Sequence, residues 1–185
     1  VATNQNDILH RCLSGHGYHK DTVHPSISPS MDIQVSSNFE RALFDAYDRD
    51  GSAVAQLMAE LGEGGFDVSQ GAAQALSEHY ASGRASEEET SATITETLAN
   101  SAELLCPHSA IGVKVAEELR DPKTPMVTLA TAHPAKFPDA VEAATGIRPP
   151  LPARMADLFE RPERLTRVPN DLDALKAQIK GLIAS

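Results

Sequence analysis

The sequence lacks cysteine pairs, long apolar runs and basic clusters, and each absence removes a class of protein. Two cysteines, Cys12 and Cys106, in 185 residues are too few for the disulfide scaffold of a small secreted domain. No apolar stretch approaches the roughly 20 residues of a membrane-spanning helix, and no signal-peptide pattern opens the chain. The sequence therefore reads as soluble and cytoplasmic. No Lys/Arg-rich run offsets the net charge of -10, which argues against nucleic acid or an anionic membrane as partner. A phosphate compound remains compatible with that charge, because backbone N–H groups at a helix start hold an anion without net positive charge. Internal repeats are missing as well.

What is present is a succession of one-faced helices. Asn6 reads as the cap of a helix running to about Ser14. The stretch from Gly15 to Ile27, with Gly, Pro and three histidines, reads as loop. Val35, Phe39, Ala42, Leu43 and Ala46 recur at three- and four-residue steps, the period of one buried helical face. Further helices are expected over Val54 to Leu61, behind Asp67-Val68-Ser69-Gln70, behind Ser86-Glu87-Glu88-Glu89 with its capping-box spacing, over His108 to Leu119, from Pro134 to Ala144, and from Asn170. Two segments read as buried strands: Val1 to Thr3, and Met126 to Thr131 between prolines. Buried strands need neighbours, and the chain supplies few. Val1, inside a strand-like segment, reads as a cut or processed start. Pro149, Pro150 and Pro152 form a stiff connection to the terminal helix, and the expected division is a main region over 1–146 and an extension over 147–185.

Several residues stand where chemistry is carried. Thr131 closes a strand-like run before a proline-started turn, and ligands of open α/β sheets sit outside the carboxyl ends of strands. Its alternative is a hydroxyl satisfied by nearby backbone. Ser28, Ser30 and Asn38 precede a helix, where short polar groups either cap, which suits Ser30 or Asp32 best, or face an anion. Arg41 offers a planar fork to phosphate or carboxylate; its alternative is an ion pair with Asp45, one turn on. His108 follows Pro107 at a helix start, as a carboxylate or phosphate holder or as a simple cap. His10, Cys12, His16, His19 and His24 crowd fifteen residues, but their spacing fits no standard zinc pattern, so no metal is expected.

The run Ser28-Pro29-Ser30-Met31-Asp32-Ile33-Gln34-Val35-Ser36-Ser37-Asn38-Phe39-Glu40-Arg41, with Cys106-Pro107-His108-Ser109-Ala110-Ile111-Gly112 and Ala130-Thr131-Ala132-His133-Pro134-Ala135-Lys136-Phe137, resembles the C-terminal half of threonine synthase. The opening Val1-Ala2-Thr3-Asn4-Gln5-Asn6-Asp7-Ile8-Leu9 resembles the strand and helix that precede these motifs in that family, and the likeness weakens after Gly146. The resemblance implies the fold class: a helix-rich α/β part of a fold type II, tryptophan synthase β-like enzyme with few strands of its own. It implies pyridoxal 5′-phosphate (PLP) as cofactor, Thr131 as partner of the pyridine nitrogen, and O-phosphohomoserine as substrate, converted with water to threonine and phosphate. Ser28, Ser30, Asn38, Arg41 and His108 are the substrate-binding candidates. The Schiff-base lysine and the Gly-rich phosphate loop are implied to lie before Val1, in an N-terminal half that would be this chain's partner. No residue of the chain is then catalytic, Lys136 included, and the chain alone is expected to be inactive. Rival readings are a non-catalytic helical interaction module and part of a related PLP-dependent dehydratase.

Overall fold

A computed structural model describes residues 1–184, which fall into two compact units, Val1–Pro150 and the stretch from Leu151 onward. The first unit carries every candidate site residue. Its opening elements are β1 (Ala2–Thr3), α1 (Ile8–Leu13), β2 (Tyr18–His19), a 3-10 turn at Pro29–Met31, α2 (Phe39–Ala46), α3 (Gly51–Glu63), β3 (Gly65–Phe66) and α4 (Gln70–Ser77). They are followed by β4 (Gly83–Arg84), α5 (Glu87–Ser101), α6 (Pro107–Leu119), a 3-10 turn at Pro134–Lys136 and α7 (Pro138–Thr145).

Side chains at the helix starts explain several boundaries. Asp50 accepts from the N–H groups of Ser52 and Ala53 and opens α3; Ser69 accepts from Ala72 and opens α4. Ser86 and Glu89 form the reciprocal capping box expected for α5. α7 begins at Pro138 and stops at Gly146, whose φ of 73° is the left-handed ending glycine adopts without strain.

One core gathers Ile8, Cys12, Tyr18, Phe39, Leu43, Leu57, Leu61, Phe66 and Leu76 from α1, β2, α2, α3, β3 and α4. The Tyr18 ring lies between Phe39 and Phe66, at centroid distances of 5.3 and 5.2 Å. Its hydroxyl accepts the Ser36 N–H at 2.7 Å, which satisfies the polar tip of an otherwise apolar residue. β2 and β3 pair antiparallel, with His19 opposite Gly65. Gly65 has φ 157°, and a Cβ there would stand 2.5 Å from the His19 Cα, so only glycine fits. Elsewhere α5 packs on α6 and α7, burying Ile94, Ile111, Val115 and Val141.

The structure departs from the sequence reading in four places. α1 starts after Asp7, which makes no side-chain cap, and Asn6 is instead buried in a polar cluster. α2 begins at Phe39, leaving Val35 outside it and exposed. β1 pairs in parallel with β4, a partner the sequence did not suggest. Met126 to Thr131 forms no strand among the described residues, and Val127 is 81% and Leu129 75% exposed. An apolar run without a hydrogen-bonding neighbour is strand-like in composition only.

From Leu151 the chain has a 3-10 turn, Ala153–Met155, and α8, Leu172–Ile183. Asp171 opens α8 by accepting the Ala174 N–H at 2.7 Å.

Candidate functional site

The first turn of α6 is buried throughout: Pro107, His108, Ser109, Ala110 and Ile111. Proline suits the first helical position, where an N–H would have no intrahelical partner. The cap is Cys106, whose Sγ accepts the Ser109 N–H at 3.4 Å. Two consecutive side chains then hold two distant segments. His108 Nε2 accepts the Ser30 N–H at 3.2 Å, and Ser109 Oγ accepts the Thr131 N–H at 3.1 Å. Candidates separated by a hundred residues thus meet at one helix end.

Thr131 and His108 line a cleft of about 580 Å³ together with Met31, Gly112, Val115 and Thr128. Among the described residues no Asp or Glu lines this cleft. At Gly112 a Cβ would meet Thr128 Cγ2 at 3.0 Å, so the missing side chain lets Thr128 lie close against α6. Thr131 is exposed, and the closest polar partner of its hydroxyl is Ser109 Oγ at 3.5 Å. That is longer than the 2.5–3.0 Å of an ordinary O–H···O bond. The Thr131 hydroxyl proton is therefore uncommitted.

Because His108 Nε2 is an acceptor, the neutral ring carries its proton on Nδ1. That buried nitrogen has no hydrogen-bond partner among the described residues. The ring packs on Phe137 at a centroid distance of 4.4 Å. Burial pushes the imidazole below its ordinary pKa, the nearby Lys136 ammonium pushes the same way, and Asp32 opposes both. Lys136 Nζ itself lies 5.6 Å from the centre of the Phe137 ring.

The loop before α2 is fixed by a polar cluster. Asn4 Nδ2 donates to Ser26 Oγ, Ser28 Oγ and Asp32 Oδ1 at 2.9, 2.9 and 2.8 Å. Asn6 Nδ2 donates to the His24 carbonyl and to Asp32 Oδ1. Ser28 is fully buried in this cluster. The capping expected of Ser30 or Asp32 is absent: Asp32 spends its carboxylate on Asn4, Asn6 and Ser26, and α2 follows Asn38, which makes no side-chain cap.

Asn38 and Arg41 line a second depression of about 420 Å³, with Ser36, Leu9 and Tyr80. Val1 borders both hollows. The Arg41–Asp45 pair does not form, since Asp45 pairs with Arg49 at 2.9 Å. Arg41 has no ion-pair partner among the described residues.

The histidine-rich stretch disperses. His10 bonds Ser82 Oγ, His19 pairs with Asp67, and Cys12 enters the core, where burial raises its thiol to about 11. Sequence reasoning passed over Ser109 and Asn4. Ser109 carried a signal, a hydroxyl three residues after Cys106 and two after Pro107, at a helix start. Asn4 had none beyond polarity after an apolar strand.

Residues 109–179 match the family described as threonine synthase, C-terminal. Over 180 residues the chain is 54% identical to threonine synthase of Pseudomonas aeruginosa, a match that takes in 96% of this chain and 38% of that protein. Threonine synthase of Corynebacterium glutamicum is 39% identical over all of this chain and 40% of its own length. Among solved structures, PLP-bound threonine synthase from Brucella melitensis shares 50% identity at a TM-score of 0.88, covering 97% of this chain and 39% of that one. The yeast threonine synthase structure gives 34% identity and a TM-score of 0.83 over 99% of this chain and 41% of that one. The helix-rich α/β architecture is therefore that of the threonine synthases. The chain belongs to the threonine synthase family and spans about two fifths of the length of the relatives it matches.

Proposed function

We propose that the chain forms the C-terminal portion of a threonine synthase, converting O-phospho-L-homoserine and water to L-threonine and phosphate with PLP. The observation that carries this reading is Thr131, with an uncommitted hydroxyl proton, facing a cleft that no carboxylate of the described residues lines. Such a site suits a flat heteroaromatic ring: apolar walls at Val115 and Thr128, a backbone brought close at Gly112, and one neutral donor. PLP, when bound, supplies an electron sink for charge developing on the substrate carbons. Thr131 would hold the ring nitrogen through a neutral O–H, which would not enforce its protonation as an acid would.

The remaining candidates act around that point. Arg41 presents its guanidinium fork, and Asn38 its amide, to the phosphate or carboxylate of the substrate; among the described residues no carboxylate pairs with Arg41. His108 stands in the cleft wall as a neutral imidazole, holding Ser30 in place without adding charge. Ser28 works through the buried cluster that sets the course of this loop. The lysine that binds the cofactor covalently and the Gly-rich phosphate loop belong to the part of the enzyme outside this chain, which is its partner. By itself the chain does not turn over. The reaction and the absence of membrane-crossing helices among the described residues are consistent with a cytoplasmic enzyme.

Thr131→Val in the complete enzyme tests the assignment. The substitution keeps the β-branched shape and removes one donor. A neutral hydrogen bond contributes roughly 0.5–1.5 kcal/mol, and an unsatisfied buried acceptor costs roughly 1–3 kcal/mol. PLP affinity, measured by titration, is expected to fall about three- to hundredfold, with a shifted cofactor absorbance. Unchanged affinity and spectrum would remove Thr131 from the site.

A further inference from the structure

We infer that Ser109 is a positioning residue of the site, holding Thr131 so that the threonine hydroxyl proton is delivered into the cleft. The inference rests on the reading of Thr131 as the partner of the cofactor ring nitrogen. Ser109 is 2% exposed. A serine hydroxyl has one proton and two lone pairs, and the neighbours of Ser109 engage the proton and one of the lone pairs. Its oxygen accepts the Thr131 N–H at 3.1 Å. Its proton has Cys106 Sγ at 3.2 Å, closer than Thr131 Oγ1 at 3.5 Å. The sulfur is fixed in turn by the Ser109 N–H at 3.4 Å. Ser109 thus takes hold of the Thr131 backbone while leaving the Thr131 side-chain proton unused.

The need for such a holder lies in the segment itself. Residues 126–131 have no strand partner, and among the described residues no other hydrogen bond reaches their backbone. The Ser109 bond is the polar tie that sets where this segment ends against α6. A hydroxyl aimed at a flat ring must be placed to within a fraction of an ångström to form a good bond. In this arrangement α6 supplies the placement and Thr131 supplies the proton.

The test is a double-mutant cycle in the complete enzyme, reading PLP dissociation constant and bound-cofactor absorbance for the parent, Ser109→Ala, Thr131→Val and the double variant, with the melting temperature of each apo protein. Ser109→Ala is expected to weaken PLP about three- to thirtyfold and to shift its absorbance in the same direction as Thr131→Val. In the Thr131→Val background the same change is expected to cost less than about twofold, because nothing is left to position. Ser109→Thr, which keeps the hydroxyl, restores affinity towards the parent. Should Ser109→Ala fail to fold, Ser109→Cys, with a weaker acceptor of similar size, carries the test with an intermediate, Thr131-dependent loss. Effects that multiply independently, or a Ser109→Ala enzyme with parental affinity and spectrum beside a sensitive Thr131→Val, overturn the Ser109 assignment alone. An insensitive Thr131→Val overturns the parent reading as well.

Discussion

His108 titrates against its own surroundings. Its Nε2 must stay unprotonated to accept the Ser30 N–H, and burial with the nearby Lys136 charge lowers its pKa from the ordinary 6.5. Between the folded and unfolded values the unfolded chain binds more protons, so stability rises with pH across that interval. The contribution is complete above the unfolded value and shrinks as pH falls through 6.5 towards the lower, folded value. Urea unfolding measured across this range is expected to show an acid-side loss that His108→Gln reduces, since glutamine retains an acceptor and does not titrate. Identical slopes for the two proteins would show that His108 is not the group responsible. Arg41 behaves in the opposite way: it is exposed and unpaired, so Arg41→Ala should leave stability within about 0.5 kcal/mol. Charge-assisted hydrogen bonds contribute about 1.5–3 kcal/mol, and the KM for O-phospho-L-homoserine in the complete enzyme is expected to rise at least about tenfold. A parental KM would leave Arg41 as a solvated surface residue.

At the scale of elements, the boundaries set by local chemistry were legible in the sequence, and those set by distant partners were not. Ser69, Ser86 with Glu89, and Gly146 mark their helix ends through groups within a few residues. The parallel pairing of β1 with β4 joins residues some eighty positions apart over two residues each, too short for any alternation to register. Val35 continues the helical period of Phe39 and Leu43, yet α2 begins only at Phe39, and the Ser36 N–H before it donates to Tyr18 Oη. The apolar run at 126–131 was read as a strand because composition cannot report whether a neighbour exists. The motif residues could be named from sequence, but not their places in the fold: Thr131 and His108 line one cleft, Asn38 and Arg41 another hollow, Ser28 is buried in the Asn4 cluster, and Ser109 ties Thr131. One element prediction is independent of function. Gly65→Ala would place a Cβ 2.5 Å from the His19 Cα at φ 157°, and destabilisation of more than about 1 kcal/mol is expected. A thermal melt unchanged from the parent would show that the β2–β3 turn tolerates the strain.

At the scale of the molecule, the chain carries an exposed apolar edge, with Val127 and Leu129 largely open to solvent, and spans about two fifths of its relatives. Contiguous exposed apolar surface marks an interface or an association risk. The 185-residue chain alone is expected to self-associate in sedimentation experiments and, after incubation with PLP and gel filtration, to show no internal-aldimine absorbance. A stable imine band abolished by Lys136→Ala would assign the covalent lysine to this chain instead. The proposed reaction is tested most directly by incubating the complete enzyme with O-phospho-L-homoserine and quantifying phosphate and threonine together. Equal amounts of the two, formed only when PLP is present, are the expected result. No phosphate release, or a 2-oxo acid and ammonia from a hydroxyamino acid in its place, would contradict it.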